Sequence, residues 1–554
     1  MHSDSESEIE DFSTPPTTPP QRRPIAANQV QGRAGGFVFQ ATDTNRLRRF
    51  LCLGSEGGTY YTNEKELGLE NARAILRLID DGKGQSVVET IVEYSVAGRT
   101  AKQNPILFAL ALCARSDNVA VKKLAYESVS RVCRIPTHLF AFVDFCEKLS
   151  GKGTGWGRAH RRAISTWYNE KDPKQLAMAV TKYRQREGWS HRDLARLSHL
   201  KPCSNAINAV IQYAVKGMAA VEKTLVESTD DDVVKALRLL HAVEEAKTCD
   251  DDERLCYLIR DSGLVREHIP SAMLNNTQVW AALLENMPMT AMIRNLGKMS
   301  AIGLLAETAG TNVHVGLICS QLRDGDALRR ARIHPFNVLL ALKTYESGRG
   351  LKGKLSWPVN RMIVHALDEA FYLSFKFVEP TGKRYLLAID VSGSMQGSDC
   401  VGSSGVSAAL GAAAMAMTTA RCEANHKIMA FCHKFVPFDV TPDMRLDSVI
   451  NYMDRLSFGA TDCALPMLWA KEKRYPVDVF IVYTDSETWF GDVHPCVALT
   501  KYRVAVNPDA RLIVCGMTSN GFTIADPDDA GMLDMVGFDS AAPEIIRNFS
   551  LGLI

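Results

Sequence analysis

The sequence predicts a multidomain protein in which an all-α solenoid of helix pairs precedes an α/β, Rossmann-like domain, and three observations predict it. Between Gly36 and Val378 apolar residues recur at spacings of three and four, with short polar or Gly/Pro breaks and little strand-like alternation. After Glu379-Pro380-Thr381-Gly382 the texture changes to short apolar runs alternating with helical stretches, the pattern of βαβ units. Charge divides at the same place: residues 36–378 carry 47 basic and 37 acidic groups, a net +10, whereas residues 379–554 carry 14 and 21, a net −7.

Residues 1–35 alternate Ser with acid (Asp4, Glu6, Glu8, Glu10, Asp11) and continue into Thr-Pro repeats from Thr14 to Pro20. With almost no aliphatic side chains such a segment cannot offset its ordering entropy, so a disordered, solvated tail is expected. In residues 36–378 the clearest helical segments are Glu70 to Ile79, Ser86 to Val96, Asn118 to Val132, Pro136 to Leu149, Asp231 to Val243, Thr277 to Glu285 and Pro335 to Tyr345. So many short helices exceed one bundle. Stacked pairs of HEAT or armadillo type let each pair bury its apolar face on its neighbours, and a closed ring is one form of such a stack. In residues 379–554 strands are expected at Tyr385–Ile389, Lys427–Phe431, Val477–Thr484 and Arg511–Met517, with helices at Ser407–Ala424, Arg445–Leu456, Ala464–Lys473 and Pro543–Leu553. The helix rich in Ala and Gly around Ala412 can approach the sheet closely.

A hydrophobic fraction of 46% and a charged fraction of 23% over 554 residues describe a globular chain of two or three domains. No run of 18 apolar residues occurs and the N-terminus is acidic and polar, so no membrane span or signal peptide is expected; the expected location is cytoplasmic, with the nucleus second. The 14 cysteines are scattered without a Cys-x-x-Cys pair, which argues for reduced core thiols and against an extracellular adhesion role.

The densest chemistry lies between Lys383 and Met395. The run Tyr385 to Ile389 suits a strand buried on both faces and stops on an acid. Asp390, Ser392 and Ser394 then place a carboxylate and two hydroxyls at every second position, with Gly393 letting the backbone fold back. Hard oxygens without Cys or His suit a divalent cation, Mg²⁺ before Mn²⁺ or Ca²⁺, and not zinc. Thr461 in a loop and Asp485 at the end of Val479 to Thr484 complete a five-residue ligand set. Strand-end acids share the carboxyl edge of a parallel sheet, where open α/β folds bind ligands. The set resembles the metal-ion-dependent adhesion site of von Willebrand factor A domains, which implies that the open metal position accepts an acidic ligand from a partner protein.

Residues 151–201 hold twelve Lys or Arg against four acids, interleaved with Trp156, Trp167, Tyr168, Tyr183, Trp189, His160, His191 and His199. Positive charge tracks phosphates, and aromatic and guanidinium planes stack on unpaired bases, so this composition suits RNA. By contrast, Gly348-Arg349-Gly350-Leu351-Lys352-Gly353-Lys354 matches Gly-rich phosphate loops in letters only. It follows a helix instead of a strand, and Leu355 stands where a Ser or Thr would hold Mg²⁺. No Gly-x-Ser-x-Gly elbow occurs, and Val391-Ser392 lack the second acid of a haloacid-dehalogenase-type phosphatase, so no enzyme is expected.

The helical array contains Gly54-Ser55-Glu56-Gly57-Gly58-Thr59-Tyr60-Tyr61, Arg134-Ile135-Pro136-Thr137-His138-Leu139-Phe140 and Gly188-Trp189-Ser190-His191, and the A-type domain contains Ala525-Asp526-Pro527-Asp528-Asp529. Together these resemble the Ro autoantigen (TROVE-domain) ribonucleoprotein family from Gly36 to the C-terminus. The resemblance implies a HEAT-like ring closed by the A domain, binding Y-type small noncoding RNAs on its outer surface and single-stranded ends of misfolded noncoding RNAs in its hole. It places RNA contacts on His191, Lys174, Lys182 and Arg192, and on Arg158 and Arg162 of the matching Trp-Gly-Arg segment. It also implies a monomer without membrane attachment. The alternative is a metal-dependent protein-interaction scaffold that does not bind RNA directly.

Overall fold

The computed structural model describes residues 20–554 apart from 152–154, 308–311, 352–353, 376–377, 404, 454 and 457–458. Most of the expected tail, residues 1–19, lies outside the described residues, as do Lys152 of the basic cluster, Lys352 and Gly353 of the Gly-rich loop, and Ser457 and Phe458 before Thr461.

Helices run from Asp43–Leu53 to Arg361–Leu373. They are short because the sequence restarts them often: side chains of Asn63, Asn118, Ser204 and Asp230 each accept first-turn N–H groups. Many of the helices bury one stripe, such as Val87, Val88 and Ile91 of Gly84–Ala97 or Ile207, Val210 and Ile211 of Asn205–Lys216, while Asn104–Arg115 is buried nearly all round. Packing is largely between sequence neighbours, with Asn104–Arg115 on Pro136–Lys148 and Pro335–Glu346 on Arg361–Leu373. The expected helix from Asn118 to Val132 is two helices, Val119–Glu127 and Val129–Val132. At their junction the Ser128 hydroxyl donates to the Leu124 carbonyl, a local bond that competes with the helical ladder.

The array closes on itself. Asn337 Nδ2 donates to the Ala101 carbonyl at 3.5 Å, and Gly98 lies against Arg332, so the first helices meet the last.

The strands among the described residues are β1 (Gln29–Gln31), β2 (Phe37–Gln40), β3 (Gln185–Arg186), β4 (Trp189–Ser190), β5 (Tyr385–Asp390), β6 (His426–Phe431), β7 (Phe435–Pro437), β8 (Val479–Thr484), β9 (Arg511–Gly516), β10 (Phe522–Thr523) and β11 (Met532–Val536). The main sheet has the order β11-β9-β8-β5-β6-β7, parallel except for β7 on β6. β5 and β8 are buried at every position, which is why they read as unbroken apolar runs. The helix Ala408–Cys422 packs its small residues against β5, β6 and β8. From β5 the chain goes to β6 and β7, then returns to β8 on the other side of β5. The winding reverses between β5 and β8, so Asp390 and Asp485 flank the crevice at this switch point.

Residues 20–35 correct the expectation of a disordered segment over 1–35. Gln21 is fully buried: its Nε2 donates to Asp462 Oδ1 at 2.8 Å and to the Val493 carbonyl at 2.7 Å. Its Oε1 accepts from the Thr488 hydroxyl at 2.5 Å. β1 pairs with β2, which pairs with β10 of the A domain. The Gln21 bonds reach partners 441 to 472 positions away, which local composition does not register.

Both ends of the array rest on the A domain. Arg49, with 1% of its side chain exposed, pairs with Asp534 and donates to the Phe522 carbonyl at 2.8 Å. Arg99 grips Asp539 through Nε and Nη2, the latter at 2.6 Å. From the other end, His334 and Phe336 pack on Phe538, and Asp368 accepts the Leu446 N–H at 2.7 Å.

Candidate metal centre and nucleic-acid interface

β5 delivers Asp390 to the carboxyl edge of the sheet, where it is fully buried. Its Oδ1 accepts the Ser392 N–H at 2.9 Å and its Oδ2 accepts the Thr484 hydroxyl at 2.6 Å, which fixes the carboxylate plane. The Ser392 and Ser394 hydroxyls lie 3.1 Å apart at the start of the helix Gly393–Gly397. Gly393 donates its N–H to the Gly459 carbonyl at 3.1 Å, which ties this turn to the loop carrying Thr461. Its own φ is not positive and a Cβ there would meet open space. That corrects the assignment of the backbone reversal to glycine: alanine fits the turn equally well.

Asp485 follows β8, with its Oδ1 accepting the Glu487 N–H at 3.1 Å. Thr461 is buried, and its carbonyl accepts the N–H groups of Trp489 and Phe490, each at 3.1 Å. The five positions are thus gathered on adjoining loops, all nearly inaccessible. Burial pushes the Asp390 and Asp485 carboxyls up, and for Asp390 the charge of Asp485 adds to the push. Glu487 is raised to about 7 by burial and then by Asp485. Two facing carboxylates and two hydroxyls, without a basic side chain among them, fit a hard divalent cation. Among the described residues no three His, Cys, Asp or Glu side chains are grouped to share an ion, so any cation here depends on hydroxyl ligands.

The motif Gly54 to Tyr61 lands on this site, a placement its sequence position does not suggest. Tyr60 donates its N–H to Ser398 Oγ at 3.0 Å. The Tyr61 phenol is raised by burial and then by Asp485 and Glu487. Lys102 bridges Glu56 and the Gly402 carbonyl at 2.5 and 3.0 Å. Gly58 is needed there: its φ is 68° and a Cβ would lie 2.3 Å from the Thr62 carbonyl oxygen.

The basic cluster divides on folding. Arg158, Arg162, Lys174 and Arg192 are exposed, and among the described residues no carboxylate pairs with them. Lys182 turns to a different surface, the wall of the central cavity, where Glu267 is 3.9 Å away. His191 is a correction. Its ring is 3% exposed, with Nε2 2.9 Å from the Tyr183 carbonyl, Nδ1 2.8 Å from the Tyr168 hydroxyl, and Phe140 packed on its edge. A carbonyl only accepts, so Nε2 carries the proton and Nδ1 accepts from Tyr168. Burial lowers its pKa to about 4. With both nitrogens engaged, this neutral imidazole packs in the core and does not lie on the exposed basic face. Trp167 and Tyr168 are likewise core, and Lys171 covers the Trp167 ring at 4.6 Å.

The cavity enclosed by the array has a volume of about 1520 Å³ and is lined by nine Lys or Arg side chains and three Glu. Arg134, Arg266, Arg294 and Arg332 among them form no ion pair with the described residues. Sequence reasoning missed these because they are scattered along the chain, outside the local excess that marks residues 151–201.

Comparison with known proteins matches residues 30–344 to the TROVE domain and residues 384–550 to the Ro60 vWA domain. The chain belongs to the Ro60 family. The RNA-binding protein RO60 of Caenorhabditis elegans is 40% identical over 599 aligned residues, covering 97% of this chain and 92% of that protein. The RNA-binding protein RO60 of Deinococcus radiodurans is 37% identical over 539 residues, covering 97% and 98%. The crystal structure of the Deinococcus radiodurans RO (RSR) protein aligns with a TM-score of 0.66 at 34% identity, covering 92% of this chain and all of that one. In this Ro60-family chain the TROVE match begins at residue 30, inside the ordered segment that composition assigned to the tail. The helix Arg361–Leu373 falls between the two matched domains.

Proposed function

We propose that this chain is an RNA-binding protein of small cytoplasmic ribonucleoproteins and is not an enzyme. The outer face bearing Arg158, Arg162, Lys174 and Arg192 takes Y-type noncoding RNA. The cavity takes single-stranded ends of misfolded noncoding RNAs, a step in RNA quality control. The observation that carries this reading is the cavity wall, where cations outnumber acids threefold and four arginines lack an ion pair among the described residues. The printed names of the two relatives support RNA as the ligand class. Asp390, Ser392, Ser394, Thr461 and Asp485 would hold Mg²⁺, which would supply an open coordination position for an acidic side chain of a partner protein. The protein works as a monomer, in the cytoplasm and secondarily in the nucleus.

The test pairs Lys174→Ala with Arg192→Ala and measures binding of a structured small RNA and of a short single strand. Structured RNA should bind roughly tenfold more weakly, the loss expected when two phosphate contacts are removed, while the single strand is unaffected. Unchanged RNA binding in these and in cavity variants would leave the metal-dependent protein scaffold as the function.

A further inference from the structure

Two guanidinium groups lie near one another on the cavity wall at the seam where the first and last helices of the array meet. Arg134 precedes the helix Pro136–Lys148, and Arg332 precedes Pro335–Glu346. Arg332 has a φ of 53°, in the left-handed region that a long side chain rarely occupies. Its Cβ would lie 3.1 Å from a Cβ placed on Gly98, at the end of Gly84–Ala97. The loop is therefore pressed across the seam.

Charge there is left unbalanced. Burial and then the charge of Arg332 hold the Arg134 pKa down to about 10, so the Arg134 guanidinium remains charged at neutral pH. Arg134 donates one bond to the Ser95 carbonyl at 2.6 Å, and among the described residues neither arginine has an ion-pair partner. One turn into the helix, His138 Nδ1 is buried on the same wall without a hydrogen-bond partner. Unsatisfied buried polar atoms are rare in native folds and call for a ligand or water. The helix itself starts without a side-chain cap. The His138 ring is neutral and its other nitrogen meets the Val132 carbonyl, so Nδ1 is an acceptor that suits a hydroxyl. The two like charges and the uncapped helix start favour an oxyanion that two guanidinium forks can share.

We propose that Arg134 and Arg332 form a phosphate-binding subsite at the seam, filled by a backbone phosphate of single-stranded RNA in the cavity, and that filling it fastens the ring. This rests on the reading of the cavity as an RNA channel. The like charges that strain the empty seam become two ends of one bridge when the phosphate is bound.

The test uses the full chain, a ten-nucleotide oligouridylate and inorganic phosphate as probes, and the variants Arg332→Gln and Arg294→Gln. Arg332→Gln removes the charge and keeps the Cβ contact with the Gly98 turn. It should weaken oligouridylate about three- to tenfold at 0.1 M salt and reduce the log-log salt slope by about 0.7, the loss of one phosphate contact. Without RNA its thermal midpoint should equal or exceed that of the parent chain, and RNA should raise that midpoint less. A variant that is less stable without RNA and keeps the parent salt slope makes Arg332 merely structural and overturns the proposal. Weakened binding in Arg294→Gln but not in Arg332→Gln removes the seam site and keeps the channel; unchanged binding in both removes the channel too. Inorganic phosphate should protect the parent chain only at millimolar concentration. Protection at the same phosphate concentration as oligouridylate would assign the site to a free anion and overturn RNA as its source.

Discussion

Replacing His191 by Ala separates a core role from a contact with RNA. The imidazole joins the Tyr168 hydroxyl to the Tyr183 carbonyl, with Phe140 on its edge. Removing it loses two hydrogen bonds of about 1 kcal/mol each and strands both partners, each at a further cost of about 1 kcal/mol or more. The void left by a ring of this size adds to that. The expected loss is about 3–5 kcal/mol, among the largest that single substitutions produce. The capping box of Ser190 and Asp193 survives, so the helix His191–Leu197 keeps its start and the damage falls on packing. Arg192→Ala, at an exposed neighbour, should change stability by no more than about 0.5 kcal/mol. The assay is urea denaturation of both variants, with RNA affinity measured on the folded fraction. Full stability in His191→Ala together with a tenfold loss of affinity would make the ring a direct RNA contact and refute the reasoning.

Three further outcomes are expected. Acid should destabilise the ring: burial lowers His138, His191, His268 and His334 to about 4 and His160 to about 3. Each is neutral when folded and protonated when unfolded between those values and the ordinary His range near 6.5, so stability holds above about pH 6.5 and falls as pH drops toward 4. Proton uptake on unfolding at pH 5.5 should be several protons, and one fewer in a stable variant lacking one of these rings; no uptake would contradict the buried neutral assignments. Asp534→Ala leaves the Arg49 guanidinium buried without its partner, and should cost about 3–5 kcal/mol by urea denaturation. A loss below 1 kcal/mol would mean that water reaches Arg49. Millimolar Mg²⁺ should raise the unfolding midpoint of the parent chain but not of Asp485→Asn, as read by calorimetry; an unresponsive parent chain would argue against a metal site.

What could be read from the sequence follows from how local each signal is. β5 and β8 announce themselves as apolar runs ending in Asp390 and Asp485 because central parallel strands are buried on both faces. Edge elements escape detection: β7 is three half-buried or exposed residues, and β10 is only two residues long. β11 and the helix Pro495–Ala505 were also missed, the latter because its buried positions are interrupted by polar ones such as Thr500 and Lys501. The Asp-x-Ser-x-Ser spacing marked the metal loop, but nothing local tied Tyr60 and Tyr61 to it, since that contact joins positions 338 apart in the chain. Composition was misleading at His191, where a polar ring serves the core, and at Gln21, where a polar residue near the N-terminus is buried 441 positions from its partner. Count and sign of charge identified residues 151–201, yet only folding separates the outward Lys174 and Arg192 from the inward Lys182.

The measurement closest to the central claim is the affinity of the full chain for a short single-stranded RNA between 50 and 200 mM salt. If about six phosphates are neutralised, log affinity should fall against log salt with a slope near −4, roughly two to three orders of magnitude over that range. An affinity that does not change with salt would contradict phosphate binding by the cavity arginines and the account built on it.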